Sequence, residues 1–445
     1  MNTDLSELPG YRGRLLSVLR KAGVEVGDLI RVKKGDQTYE GPLMPRSGPG
    51  GDEYFVLKLQ SGYNVGIRLE KGVRIERLRG GPKPGFVRPQ PPKRRAELPR
   101  VSIISTGGTI ASRVDYTTGA VHAAITAEDL YSVVPELSEI ADIEAEVLMN
   151  IFSEDVTPKD WSQIAKSTAK HIKGGADGVV ITHGTDCLHF TAAALSFALR
   201  ESPVPVVLVG AQRSSDRPSS DAALNLIGAV SVAANAPFSE VVVAMHENAT
   251  DGTIAIHRGT KVRKLHTSKR GAFRSIGTLP LAYYRDGKID MAIGDYEKRT
   301  PGRRLKLNAK FDAKVALIKF SPGMDLGVLD WYIDQGYRGI VLEGTGLGHV
   351  SHRCFPSLEK TIGGGIVVCM TSQCIHGRTN LNVYETGRRL IDMGVVPLED
   401  MLAETAYVKL SWSLGQSKDP NKVKELMLSD IAHEISPRTY FIGAP

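Results

Sequence analysis

The sequence predicts an α/β protein of two lobes, each a doubly wound parallel sheet, preceded by a small all-β barrel domain. Three observations carry this reading. Beyond residue 100, apolar runs rich in β-branched residues alternate with helix-length segments, as in a sheet covered on both faces. Before residue 80, short alternating segments are separated by turn-forming clusters. Between the two lies a stretch dense in proline, glycine and basic residues, the composition of an extended linker.

A short helix is expected at the start, with Leu15, Leu16, Val18, Leu19 and Ala22 on its apolar side and Gly23 ending it. Five short strands follow, around Leu29–Val32, Tyr39–Met44, Tyr54–Leu59, Tyr63–Ile67 and Val73–Ile75, with turns at Gly35-Asp36 and Ser47–Asp52. Residues 1–80 therefore read as a small β-barrel module, and 81–99, with Pro82, Pro84, Pro89, Pro91, Pro92 and Lys93-Arg94-Arg95, as the linker. Residues 100–300 read as a catalytic lobe whose strands include 101–104, 178–181, 205–209 and 241–245, with a helix running through Phe197. The basic stretch Lys298–Arg304 reads as an interdomain connection, and 301–445 as a second α/β lobe with strands near 315–318, 339–342 and 365–370.

A chain of 445 residues exceeds one ordinary hydrophobic core. Its 42% hydrophobic and 24% charged residues argue against extensive disorder. The net charge of +7 permits a polyanionic partner without requiring one. Cys187, Cys354, Cys369 and Cys374 fit neither a zinc ligand pattern nor a disulfide scaffold, so buried free thiols in a reducing compartment are expected. The first residues lack a basic, then apolar, leader, and no apolar run reaches the ~18 residues of a bilayer span, so a cytoplasmic protein without membrane contact is expected. There is no P-loop and no His/Cys ligand cluster, hence no metal and no cofactor in this chain.

In open parallel sheets, ligands bind beyond the carboxyl ends of the strands. Those ends carry Thr109 after Gly107-Gly108, Ser153-Glu154 after Val147–Phe152, and Thr185-Asp186 after Gly184. Singly, each threonine could be a helix cap and Ser153-Glu154 a turn. His183 reads as structural, holding a loop by hydrogen bonds.

Their combination resembles the L-asparaginase/glutaminase family. Thr106-Gly107-Gly108-Thr109-Ile110-Ala111 and Thr182-His183-Gly184-Thr185-Asp186 are similar to its two signature motifs. Tyr116 in Asp115–Gly119, Ser153 in Asn150–Asp155, and Lys264 in Lys264–Thr267 fall in register over residues 100–440. The resemblance implies two hydroxyl centres. Thr109 is the favoured nucleophile for the amide carbon, Thr185 remains the other candidate, and Tyr116 on a loop assists proton movement. Thr185, Asp186 and Lys264 would form a hydrogen-bonded triad. Ser153 would bind the substrate α-carboxylate with Glu154 beside it, and Asp186 would orient Lys264 or hold the substrate ammonium. A threonine hydroxyl needs a base at neutral pH, and glycine-turn N–H groups could hold the oxyanion. Two positions depart from the simple asparaginases: Glu154 stands where Gln is frequent, and Leu347, in Gly344–Gly348, stands where bacterial forms carry Asn. Tyr384 or Glu385 could take over part of amino-acid recognition.

A free asparaginase needs neither the β module nor the basic linker. The full layout, with Tyr39–Arg46 in the β module, resembles the D-subunit family of archaeal glutamyl-tRNA(Gln) amidotransferases. That resemblance implies a glutamine- or asparagine-hydrolysing protein that delivers ammonia to the E subunit of the same complex. The E subunit would use ATP and Mg to activate glutamyl-tRNA(Gln) and make most of the tRNA contacts. The resemblance also implies an asparaginase-like core paired as a homodimer, one chain's C-terminal lobe completing the other's site. The competing readings are a stand-alone L-asparaginase and a non-catalytic scaffold for tRNA or a partner protein.

Overall fold

In a computed structural model of the chain, the described residues are 8, 10–45, 53–59, 64–80, 97–108, 110, 112–114, 121–123, 126, 130–131, 134–213, 220–325 and 327–439. The first unit is a small β domain. Its helix, Gly13–Lys21, buries Leu15 and Leu19. The strands Gln37–Pro42, Leu29–Lys34 and Arg74–Arg79 form one antiparallel ladder, and Tyr54–Lys58 with Asn64–Arg68 forms another. A bridge between Leu43 and Leu57 joins them. Period-2 alternation places Ile30 and Val32 in the core with Phe55, Leu57 and Ile67, while Arg31 and Lys33 face outward. Tyr11 Oη donates to the Met44 carbonyl at 2.7 Å and accepts from Val56 N–H at 3.2 Å, fastening the helix end of the domain to its sheet.

The large lobe is built on an eight-stranded sheet. Five strands, Asp142–Val147, Arg100–Ser105, Gly178–Thr182, Val206–Val209 and Val241–His246, lie side by side and parallel. Three more, Ile254–Arg258, Ala282–Arg285 and Lys288–Met291, continue it in antiparallel fashion. The sheet is thus mixed, and its antiparallel margin is an addition to the parallel pattern expected from sequence. For the outermost pair, Ala282–Arg285 and Lys288–Met291, the reason is local. Asp286 and Gly287 both have positive φ (47° and 78°), so the chain reverses in a two-residue hairpin instead of crossing over through a helix.

All residues of Gly178–Thr182 are buried, because helices cover both faces. Helix Ala222–Asn235 packs on one side, against Val101, Ile103, Val180 and Val207. Helices Pro158–Lys173 and Leu188–Ala198 pack on the other, against Ile104, Val179, Ile181 and Leu208. At ~25 cal/mol per Å² of apolar surface removed from water, such double-sided burial is the main stabilisation of the lobe.

The smaller lobe holds a four-stranded parallel sheet, Val315–Lys319, Gly339–Gly344, Val367–Ser372 and Val396–Pro397. Helix Ala403–Gln416 belongs to both lobes. Val408 and Trp412 pack into an aromatic cluster with Trp161 and Phe197 of the large lobe, the Phe197 and Trp412 rings 5.8 Å apart. Its opposite side, through Ala406, Leu410 and Leu414, packs on the small sheet.

The basic run 298–304 is anchored to the large lobe, since Arg299 donates to the carbonyls of Ala234 and Asp177, each at 2.7 Å. Among the cysteines, Cys354 and Cys369 are buried as expected, whereas Cys187 is half-buried and Cys374 exposed. Among the described residues no helix is long and apolar enough to cross a membrane.

Candidate active site

Three loops meet where the central parallel strands end. Thr106, at the end of strand 100–105, donates from both its N–H and its hydroxyl to the Thr182 carbonyl, at 3.1 and 2.8 Å. Its own carbonyl accepts from Ile151 N–H at 3.3 Å. The Gly107-Gly108 turn then fits into a gap that no side chain could share. A β-carbon on Gly107 would lie 2.2 Å from the Ile151 carbonyl oxygen, and one on Gly108 would lie 2.9 Å from the His183 carbonyl. Their φ values, +126° and +78°, are also unfavourable for other residues. Gly107→Ala is therefore expected to destabilise the lobe by about 2–4 kcal/mol and to depress any amidase activity, readable in one urea titration and one ammonia assay.

The loop after strand 178–182 carries Thr185 and Asp186. It is held from below by His183, which is fully buried. His183 Nδ1 donates to the Gly184 carbonyl at 2.7 Å, which leaves Nε2 to accept from the Thr191 hydroxyl at 3.0 Å. Thr191 in turn accepts from Trp161 Nε1 at 3.2 Å. Burial pushes the His183 imidazole below its ordinary range, keeping it neutral and fixed in this tautomer. The expected structural role of His183 is what its surroundings display.

Lys264 comes from a different element. It ends the short strand Val262–Lys264, paired antiparallel with Phe273–Ser275, and its side chain is only 8% exposed. Nζ donates to Thr185 Oγ1 at 2.9 Å and to Asp186 Oδ1 at 2.7 Å. The Asp186 carboxylate is 68% exposed, so this ion pair is worth little to stability, about 0–1 kcal/mol. What the pairing does is fix a lysine amine against a threonine hydroxyl, within reach for proton transfer. Neighbouring groups respond to the same charges. Burial, then Arg263 and Lys264, push His189 down to about 3, and burial, then Asp186, push the Cys187 thiol up.

Ser153 is buried under the same loops. It accepts from Cys187 N–H at 3.3 Å and donates to Glu154 at 3.3 Å, with Glu154 itself exposed. The structure thus brings together Thr185, Asp186 and Lys264, and places Ser153-Glu154 on the adjoining loop. Thr109 and Tyr116 lie outside the described residues. Leu347, Tyr384 and Glu385 sit on the small lobe: Leu347 accepts from Asn380 N–H at 2.9 Å, and the Tyr384 ring stands 5.3 Å from that of His349. Among the described residues no hydrogen bond links them to Thr185, Asp186 or Lys264 of the same chain.

Sequence reasoning missed the charged residues flanking Lys264. Lys261 is buried against Asp400 at 2.7 Å, and Arg263 pairs with Glu404 at 2.9 Å. No signal in the sequence marks them: Lys261 and Arg263 sit in the largely polar run Gly259–Lys264, which reads as a solvated turn, and periodicity does not flag buried charge there.

Comparison with known proteins agrees with this architecture. Residues 100–295 match the family described as Asparaginase, N-terminal; 314–427 match the Glutaminase/Asparaginase C-terminal domain, and 24–78 the GatD N-terminal domain. The D subunit of the glutamyl-tRNA(Gln) amidotransferase of Pyrococcus furiosus is 51% identical over 434 residues, covering 96% of this chain and 98% of its own. That of Thermofilum pendens is 48% identical over 446 residues, covering 98% of each chain. Among solved structures, the thermostable L-asparaginase from Thermococcus kodakarensis superposes with a TM-score of 0.68 at 32% identity, over 76% of this chain and 100% of that one. L-asparaginase I from Vibrio cholerae gives a TM-score of 0.66 at 28% identity, over 76% and 99%. The asparaginases account for the two lobes and the amidotransferase relatives for the β domain as well, so the chain belongs to the D-subunit family of glutamyl-tRNA(Gln) amidotransferases, as an amidase component on an asparaginase core.

Proposed function

We propose that this chain hydrolyses the side-chain amide of glutamine and hands the ammonia to an E-type partner, which uses it to convert glutamyl-tRNA(Gln) to glutaminyl-tRNA(Gln). The observation that carries the chemical part is the approach of Lys264 Nζ to Thr185 Oγ1 and Asp186 Oδ1. In the reaction, a threonine oxygen bonds to the amide carbon, the carbon–nitrogen bond breaks, and nitrogen leaves as ammonia with the hydroxyl proton. Water then cleaves the acyl-threonine, returning the hydroxyl and releasing glutamate. Thr109 is the preferred nucleophile, with Tyr116 assisting. Thr185, Asp186 and Lys264 form the proton-handling triad. Ser153, with Glu154 beside it, receives the substrate α-carboxylate.

ATP and Mg belong to the partner's activation of the tRNA-bound glutamate, and the chain itself needs no cofactor. Contact with tRNA is made mainly by the partner, in the cytoplasm. Two copies of the core pair, one chain's small lobe closing the other's site. Phe152, beside Ser153, is 75% exposed, and Tyr384 is 58% exposed, as surfaces covered by a second copy would be in a single chain. The relatedness to amidotransferase D subunits over nearly the whole chain, against coverage of 76% by asparaginases, favours the ammonia donor over a stand-alone asparaginase.

The test is ammonia release from glutamine by the purified chain alone, with the E-type partner, and with that partner plus glutamyl-tRNA(Gln). Stimulation of about tenfold or more by the charged complex is expected. Equal turnover in all three conditions would make the chain a free amidase, and no turnover in any of them would leave the scaffold reading.

A further inference from the structure

The segment that delivers Lys264 is clamped by the small lobe and the C-terminal tail, one residue after another. The Thr260 carbonyl accepts from the Thr405 hydroxyl at 2.9 Å, and the Thr260 hydroxyl donates to the Ala432 carbonyl at 2.8 Å. Lys261 Nζ, with 2% of its side chain exposed, meets Asp400 Oδ2 at 2.7 Å. The other Asp400 oxygen accepts from Ser436 N–H at 2.9 Å. Arg263 reaches Glu404 at 2.9 Å. The next residue is Lys264, whose amine points the opposite way, to Thr185 and Asp186.

We infer that Lys261 and Asp400 are positioning residues: their buried ion pair lets the small lobe set where the Lys264 amine stands against Thr185. The inference rests on the functional reading of Lys264 given above. Simple adhesion between lobes does not account for the pair. The aromatic cluster of Trp161, Phe197, Val408 and Trp412 already joins them, and an apolar pair of similar volume is generally as stabilising as a buried ion pair. What an ion pair adds is registry, because it is satisfied in one relative placement only. Here that placement is imposed three residues before Lys264, at the entry to the strand Val262–Lys264, which is paired with Phe273–Ser275. The carboxylate persists in place: burial would raise Asp400, yet Lys261 and Ser436 hold it below the usual carboxylate range, while burial lowers the Lys261 ammonium and Asp400 opposes that shift. A shift of the small lobe, such as docking of a partner on it would bring, is thereby transmitted to the amidase site, with the Lys261–Asp400 pair as the more deeply buried of the two ion pairs among the links.

The experiment compares wild type, Lys264→Ala and the double variant Lys261→Met/Asp400→Leu in the full chain, with glutamine as substrate and thermal unfolding recorded alongside. The double variant removes both charges together, so no lone buried charge remains. Its expected behaviour is an unchanged or higher Tm, a kcat lowered at least tenfold, and a KM within twofold of wild type. A purely structural pair would leave kcat alone. If the double variant keeps kcat within twofold while Lys264→Ala is inactive, the positioning role is wrong and the reading of Lys264 stands. If Lys264→Ala itself turns over normally, both fall. Should the double variant fail to fold, Asp400→Asn, which leaves the Lys261 charge unpaired and so lowers Tm, is judged on kcat and KM alone, by the same two thresholds.

Discussion

Replacing Lys264 by alanine is expected to lower ammonia release by about 10²- to 10⁴-fold while leaving the protein folded. The size follows from what positioned proton transfer contributes to a weak nucleophile such as threonine. The selectivity follows from exposure. Asp186, one of the two partners of Lys264, is 68% exposed and is rehydrated when the amine is removed, and Thr185 keeps access to water. A Tm within a degree or two of wild type together with this loss of turnover would tie the effect to chemistry. Full activity in Lys264→Ala would remove the triad from the mechanism. Steady-state kinetics separates two further cases. A fall in kcat with KM unchanged points to proton transfer, whereas a rise in KM alone would reassign Lys264 to substrate binding.

The parts of this fold that were readable in sequence are those with strong periodicity. Val101–Ile104, Val179–Ile181 and Val206–Val209 are apolar almost without interruption because helices cover both faces, and each ends close to a glycine or threonine where the site is assembled. One strand was displaced. The run Val147–Phe152 is more apolar than Asp142–Val147, yet the latter pairs with Arg100–Ser105 at the sheet edge, where one side faces water and alternation suffices. Leu148–Phe152 instead form the loop that meets Thr106 and the Gly107-Gly108 turn. The antiparallel margin had a signal as well, Asp286-Gly287 between alternating segments, but the parallel grammar around it masked that hairpin.

Of the site, Thr185 and Asp186 were legible as candidates because they follow the strand Gly178–Thr182, whereas Ser153 was singled out after an apolar run that proves to be loop. Lys264 was reached only through its family resemblance. Lys261, Asp400 and Glu404 were not reached, since their partners are separated by more than 130 residues and charge alone does not reveal pairing.

The largest loss of stability is expected from Lys409→Met. Lys409 lies inside helix Ala403–Gln416, and its ammonium meets Glu434 at 2.5 Å with both side chains wholly buried. It also donates to the carbonyls of Met427 and Ser429, while Glu434 accepts from the N–H groups of Ile431 and Ala432. The pair therefore closes the polar ends of helix Pro420–Leu428 and the tail in a place without solvent. Burial raises Glu434, but Lys409 and the tail N–H groups overcome it and hold the carboxyl below its ordinary value. Methionine matches the lysine stem in volume, so the change leaves packing nearly intact and isolates the charge. What remains is an uncompensated buried carboxylate, and a loss of about 3–5 kcal/mol is expected in urea titration at neutral pH. The pH dependence gives an independent check. A carboxyl depressed in the folded state contributes stability that is present above its unfolded value, about 4.3, and is lost as pH falls through the folded value. In the variant burial acts on Glu434 without Lys409 to oppose it, so the carboxyl rises, the sign reverses, and acidification should recover part of the loss. A variant as stable as wild type at pH 7, with the same acid dependence, would mean that the tail leaves the helix and hydrates Glu434 without penalty.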